Sequence, residues 1–165
     1  MEPVIVKKPT MRFIGLAKNV RLGEAAPIWP VDVIKRKTEI TNCINEREVF
    51  GLFTDPEDYH PETDEFEFFM GVEVSSNENV PEGMVYREVP ANTYARFTYQ
   101  GSIERKGSKV HAYFYSTWLS ENSCESAGLY NIEVYDERNK HLFTEGPVIE
   151  THEDIYFPIK ERVLE

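Results

Sequence analysis

Glu133 is the residue of this chain whose setting points most directly to chemistry. It stands in a short, aromatic-rich, strand-like run, Asn131-Ile132-Glu133-Val134-Tyr135-Asp136, just downstream of a helix-like segment that ends in Trp118-Leu119. On a strand, successive side chains point to opposite faces, so Glu133 and Tyr135 share one face and Ile132 and Val134 the other. An acid that shares a face with an aromatic ring, near a tryptophan, is a seat for an organic cation. Burying a lone carboxylate is costly and pushes its pKa up. A bound cation would offset that cost, and so would pairing with a nearby Arg or Lys such as Arg96. Trp118 could add a cation–π face worth roughly 0.5–2 kcal/mol, or be plain helix core.

The same carboxylate could also act as a general acid or base, with a tyrosine hydroxyl helping. Nothing else in the chain supports catalysis. There is no Gly-x-Ser-x-Gly, neither Cys43 nor Cys124 has a histidine beside it, and no phosphate-cradling glycine loop occurs. The histidines, His60, His111, His141 and His152, are scattered without His-Glu-x-x-His spacing, and the two cysteines have no Cys-x-x-Cys spacing. His152 with Glu153 and Asp154 reads as a solvated acidic turn before a strand. No catalytic residue, metal or cofactor is assigned on these grounds.

Composition narrows the partners. The chain has 165 residues, 41% hydrophobic and 28% charged, which fits one soluble domain with a real core. Its net charge is -11. The closest thing to a basic cluster is Lys35-Arg36-Lys37, read as the solvated face of a helix. Direct nucleic-acid binding is therefore not expected, since it needs a basic face to displace counterions, and the acidic field favours cationic ligands. No apolar run approaches the roughly 20 residues a membrane span requires. Met1-Glu2-Pro3-Val4 lacks the layout of a secretion signal, so a cytoplasmic protein is expected, monomeric or homodimeric.

The elements that must position Glu133 follow from periodicity. Strands are predicted over 3–8 and 11–20, split by Pro9-Thr10. Ile28, Trp29, Val33, Ile34 and Ile40 recur at helical spacing, which predicts a helix from Ile28 to about Thr41. Val49 to Phe53 reads as a strand, and the Pro-containing stretch Asp55 to Asp64 as an exposed acidic loop. Phe66, Phe68, Met70, Val72 and Val74 alternate with Glu65, Glu67, Phe69, Gly71 and Glu73, which predicts a strand with one buried face. Further strands are predicted at Met84–Val89, Thr93–Gln100, 130–136 and 148–158, with a short strand or turn at His141 to Thr144. Val110, Tyr113, Phe114, Thr117 and Trp118 make one apolar stripe, predicting a helix over Ser108 to Ser120. Short connections and period-2 alternation argue for antiparallel pairing and an α+β layer arrangement.

The order of motifs resembles the GyrI-like family, also called the AraC-type effector-binding domain. The motifs run over essentially the whole chain. They include Glu2-Pro3-Val4-Ile5-Val6, Phe13-Ile14-Gly15, Phe50-Gly51-Leu52-Phe53 and Phe66-Glu67-Phe68-Phe69-Met70-Gly71-Val72. Val89-Pro90-Ala91-Asn92-Thr93-Tyr94-Ala95-Arg96-Phe97, Tyr115-Ser116-Thr117-Trp118-Leu119, Ile132-Glu133-Val134-Tyr135-Asp136 and Ile155-Tyr156-Phe157-Pro158-Ile159 follow. The resemblance implies a single domain over 1–165. Two pseudo-twofold strand-helix-strand-strand units, about 1–88 and 89–165, would form a curved antiparallel sheet with two helices on one face. It implies a ligand groove between those helices, with Glu133 contacting a cationic or amphipathic aromatic compound. Trp118, Trp29, Tyr135, Tyr99, Phe68, Tyr156 and Tyr113 are the candidate groove aromatics. With no helix-turn-helix preceding residue 3 or following residue 160, a stand-alone member is expected. Two rival readings accompany it: a hydrolase of a reactive small molecule in the same groove, and a protein-interaction module acting on gyrase or a transcription regulator.

Overall fold

The computed structural model describes residues 2–21, 24, 26–54, 65–128, 130–139 and 149–163. The acidic loop expected at Asp55 to Asp64 and the short strand or turn at His141 to Thr144 lie outside these described residues. The alternating segments form β1 (Val4–Lys8), β2 (Met11–Arg21), β3 (Val49–Thr54), β4 (Glu65–Glu73), β5 (Val85–Val89), β6 (Asn92–Ser102), β7 (Cys124–Ser126), β8 (Tyr130–Tyr135) and β9 (Glu150–Glu161). Eight of them make one antiparallel sheet in the order β1-β6-β9-β8-β3-β4-β2-β5, and β7 pairs with β9. The order is palindromic in role. The trio β6-β9-β8 faces the trio β3-β4-β2 across the β8–β3 seam. The strand before β2 (β1) pairs with β6, and the strand before β6 (β5) pairs with β2.

The sheet is apolar on both faces. On one, Ile14, Val49, Met70, Val72 and Tyr135 pack with Ile28, Val33 and Ile40, while Ala95, Phe97, Ile155 and Phe157 pack with Val110, Phe114 and Trp118. On the other, Phe13, Phe50, Leu52, Phe69, Ile132, Val134, Tyr94 and Tyr156 meet as the sheet curls on itself. The expectation of one buried face for β4 is thus corrected: Phe69 is as buried as its neighbour Met70. The curl requires close strand approach where Gly15 opposes Gly71. A Cβ on Gly15 would lie 2.2 Å from the Met70 carbonyl oxygen, well inside contact distance.

The first helix is shorter than its apolar spacing predicts. It is α1 (Pro30–Lys35), followed by one 3-10 turn at Lys37–Glu39. Pro30 holds the first helical position, where its missing N–H costs nothing, and it forces Trp29 into extended backbone, so the helix cannot begin at Ile28. Asp32 Oδ2 accepts the Trp29 backbone N–H at 2.7 Å and fixes the entry. The second helix is longer than predicted, running over 103–121, with π-helical stretches at Gly107–His111 and Phe114–Trp118. Their i→i+5 bonding widens the turn. Residues four and five apart therefore line up: Val110, Phe114 and Trp118 face the core, and Lys106, His111 and Tyr115 face the neighbouring cavity. Among the described residues, no helix is long and apolar enough to cross a membrane.

Candidate functional site

A cavity of about 490 Å³ lies between the start of α1, the long helix and the sheet, within the range of small-molecule pockets. Alternation in β4 turns Phe66, Phe68 and Met70 into one wall, and β3 adds Phe53, whose ring meets that of Phe68 edge-on at 5.1 Å. Ile28, Trp29 and Pro30 close a second side, and Lys106, Gly107, His111 and Tyr115 a third. β8 supplies Asn131, Glu133 and Tyr135 as the floor. Gly51 sits between Met70 and Glu133 in the strand register, and its missing side chain makes room for the Phe53 ring, which a Cβ there would approach to 2.7 Å.

The floor is polar beneath apolar walls. Glu133 is 3% exposed. Its Oε2 accepts the Tyr135 hydroxyl at 2.5 Å, its Oε1 lies 2.8 Å from Lys106 Nζ, and His111 Nε2 stands 3.6 Å away. The Lys106 ammonium also donates to Glu153 Oε1 at 3.0 Å. Thr151 Oγ1 donates to Glu153 Oε2 at 2.6 Å, and Asn139 Nδ2 donates to Thr151 at 3.0 Å. Two buried carboxyl groups thus share one ammonium.

Burial opposes the charge on Glu133, but Lys106 and His111 outweigh it and hold the carboxyl well below the usual range. Burial likewise opposes the charge on Lys106, and the two carboxyls outweigh that and raise it above the ordinary lysine value. Glu153 goes the other way: burial, reinforced by the Glu133 charge, pushes it up to about 8 against the pull of Lys106. Burial and the Glu133 charge raise the Tyr135 phenol, which stays a donor. At neutral pH the trio is therefore carboxylate, ammonium and carboxylic acid.

Of the residues proposed from sequence, Glu133, Tyr135, Phe68 and Trp29 line this cavity. Four others are placed elsewhere. Trp118 stacks on Phe114 and meets Phe97 edge-on inside the core. Tyr113 packs against Phe97, and the Tyr99 hydroxyl donates to the Ser102 carbonyl at 2.6 Å. Tyr156 is on the opposite sheet face, edge-on to Tyr94, with Lys8 Nζ 5.4 Å from its ring centre. Arg96 is not the partner of Glu133: it pairs in register with Tyr156, and Lys106 takes the part instead. Glu153, read as part of a solvated turn, is 0% exposed. The alternation Thr151, Glu153, Ile155, Phe157 was the signal for it, masked by the polar neighbours His152 and Asp154.

Residues 4–159 match the family described as integron-associated effector binding protein, Cass2. The chain belongs to this family. The Cass2-type chain is 30% identical over 165 residues to Transcriptional regulator BrlR of Pseudomonas aeruginosa. That match takes in 96% of the chain and 56% of BrlR, so the chain spans just over half the length of this relative. In fold it is similar to SAV2435 bound to tetraphenylphosphonium, with a TM-score of 0.65 and 14% identity over 97% of this chain and 94% of that one. It is similar also to the EcmrR C-terminal domain, with a TM-score of 0.64 and 17% identity over 97% and 98%. The resemblance to the GyrI-like effector-binding fold, read from the motif order, holds, and so does the α+β architecture with its curled antiparallel sheet.

Proposed function

We propose that this Cass2-type domain is a small-molecule effector-binding domain whose cavity takes a lipophilic aromatic monocation. One observation carries the reading: beneath aromatic walls, Glu133 on the floor and Glu153 buried behind it are matched by a single lysine, Lys106. Such a floor has capacity for one more positive charge. Phe53, Phe66, Phe68, Trp29 and Tyr115 supply apolar and cation–π surface for a delocalised cation. That the similarly folded SAV2435 has been seen with tetraphenylphosphonium supports the chemical class. BrlR is a transcriptional regulator, which supports a sensing role for this domain rather than a degradative one.

The test is titration with tetraphenylphosphonium and rhodamine 6G, followed by tryptophan fluorescence and calorimetry. Saturable binding is expected, weakened about tenfold or more in Glu133→Gln, the loss of one buried charge contact of about 1.4 kcal/mol or more. Equal binding by wild type and the variant would sink the reading, as would failure of both cations to bind.

A further inference from the structure

Lys106 links Glu133 on the cavity floor to Glu153 behind it, and the role of Glu153 rests on the cation-binding reading and goes beyond it. We infer that Glu153 is a second counter-charge of the site, and that an incoming cation exchanges for the proton Glu153 carries. Lys106 Nζ lies 2.8 Å from Glu133 and 3.0 Å from Glu153, so it is the cation already resident in the pocket. It balances one carboxylate, and Glu153, fully buried and aimed at the same ammonium, must be neutralised by something else. Without ligand, that something is a proton.

Among the described residues, the groups facing Glu153 fit the exchange. From the long helix comes Lys106, with His111 beyond it against Glu133. From β8 come Glu133 and the Tyr135 hydroxyl, which donates to Glu133. From β9 and the segment before it come the neutral donors Thr151 and Asn139. β6 places Tyr99 opposite Glu153 in the register, its hydroxyl already committed to Ser102. Among these described neighbours, Lys106 is the cation in direct contact, and the Thr151 hydroxyl, already on Glu153 Oε2, favours the ionised carboxylate. Glu153 is held near pH 8, inside the physiological reach of a cation's field.

The exchange also sets specificity. A permanent cation drives off one proton and leaves the floor neutral. A neutral molecule of the same shape releases none. The site therefore separates charged from uncharged aromatics more sharply as pH rises.

The experiment uses tetraphenylphosphonium, which has no titratable group, and triphenylphosphine oxide as its neutral counterpart. Proton release is measured by calorimetry in buffers of different ionisation enthalpy, alongside Kd across pH. Release close to one proton is expected below about pH 7.5, fading above about pH 8.5, with affinity for the cation rising about 25-fold between about pH 6.5 and about pH 8.5. Glu153→Gln should release no proton and show a flat profile, whereas His111→Asn should keep the release. Should Glu153→Gln fail to fold, Thr151→Val removes a donor that favours the ionised Glu153 and should carry the release to higher pH, whereas an unmoved release would overturn the assignment. Tight binding without proton release at any pH overturns the inference and leaves the cation-binding reading standing. Release that disappears in His111→Asn and persists in Glu153→Gln overturns it too. Absence of cation binding at every pH overturns the reading beneath it.

Discussion

Replacing Lys106 by methionine isolates the electrostatics of the floor from its packing, because methionine keeps most of the apolar stem. The ammonium it removes touches both Glu133 and Glu153, and the side chain is only 15% exposed. At neutral pH one of the two carboxyls is already protonated, so one buried charge is orphaned. Breaking a buried pair from one side costs about 3–5 kcal/mol. The Tyr135 hydroxyl and His111 still reach Glu133, which places the expected loss at the lower end, about 3 kcal/mol near pH 7. The pH dependence follows from the shifts. Lys106 has a folded pKa above its unfolded one, so its contribution is fully present below the ordinary lysine value and is lost only as pH climbs through the folded value. Glu133 has a depressed folded pKa, so its contribution is present above the ordinary carboxylate range and lost as pH falls through the folded value. Without Lys106 burial prevails and both carboxyls shift upward. Lys106→Met is then most stable near about pH 4–5 and weakens as pH rises. Urea unfolding at about pH 5, 6.5 and 8 should show the gap to wild type widening with pH, and Glu133→Gln added to Lys106→Met should recover most of it. A gap below about 1 kcal/mol at pH 8, the scale of an exposed ion pair, would refute the reasoning. So would a gap that does not change with pH.

Glu153→Gln reports the other half of the trio in the absence of ligand. A carboxyl with a raised folded pKa contributes stability that is full below its unfolded value and is lost as pH rises through about 8. Wild type should therefore lose thermal stability relative to Glu153→Gln between about pH 5 and about pH 8.5, and parallel curves would count against the burial argument. Gly51→Ala places a Cβ 2.7 and 2.9 Å from ring atoms of Phe53, so the ring must shift at the cavity floor. A loss of about 1–3 kcal/mol is expected in unfolding, with tetraphenylphosphonium affinity falling about tenfold, or about 1.4 kcal/mol. Unchanged affinity would show that Gly51 does not shape the pocket. The two tryptophans should separate: Trp118→Ala costs about 3–5 kcal/mol as a core truncation. Trp29→Ala costs under about 1 kcal/mol and removes the ligand-induced fluorescence change. A fluorescence response that survives Trp29→Ala would place the ligand elsewhere.

The strands were legible because alternation is a strong local signal wherever one face is apolar. Ala95, Phe97 and Tyr99 separate from Tyr94, Arg96 and Thr98 on period 2 alone, and the same rule brings Glu133 and Tyr135 to one face. That β4 is buried on both sides was not legible, because the curl that covers Phe69 depends on pairings distant in sequence, β1 with β6 and β5 with β2. The start of α1 was misread for a local reason: the apolar period continues through Ile28 and Trp29, but Pro30 forbids the helix from reaching them.

On the long helix, helix geometry rather than residue type decides which side chains reach the cavity. Reading the long helix at 3.6 residues per turn groups Tyr113, Phe114, Thr117 and Trp118 as one stripe and offers Trp118 to the groove. The π-helical turns regroup the same residues. Val110, Phe114 and Trp118 go to the core, and the stripe that reaches the cavity is Lys106, His111 and Tyr115. Lys106 lies before the helix expected at Ser108, so no stripe includes it, yet a buried carboxylate requires a cation and the chain carries one of its own. That changes what the site asks of a ligand. Had Glu133 been alone, any cation filling the cavity would have met an unbalanced charge. With Lys106 in place the remaining negative charge belongs to Glu153, which can be satisfied by a proton at neutral pH. A ligand must therefore offer more than charge. On the proposed reading it has to outcompete a proton, and the aromatic walls would supply the apolar contact that favours a lipophilic cation over a small hydrated one.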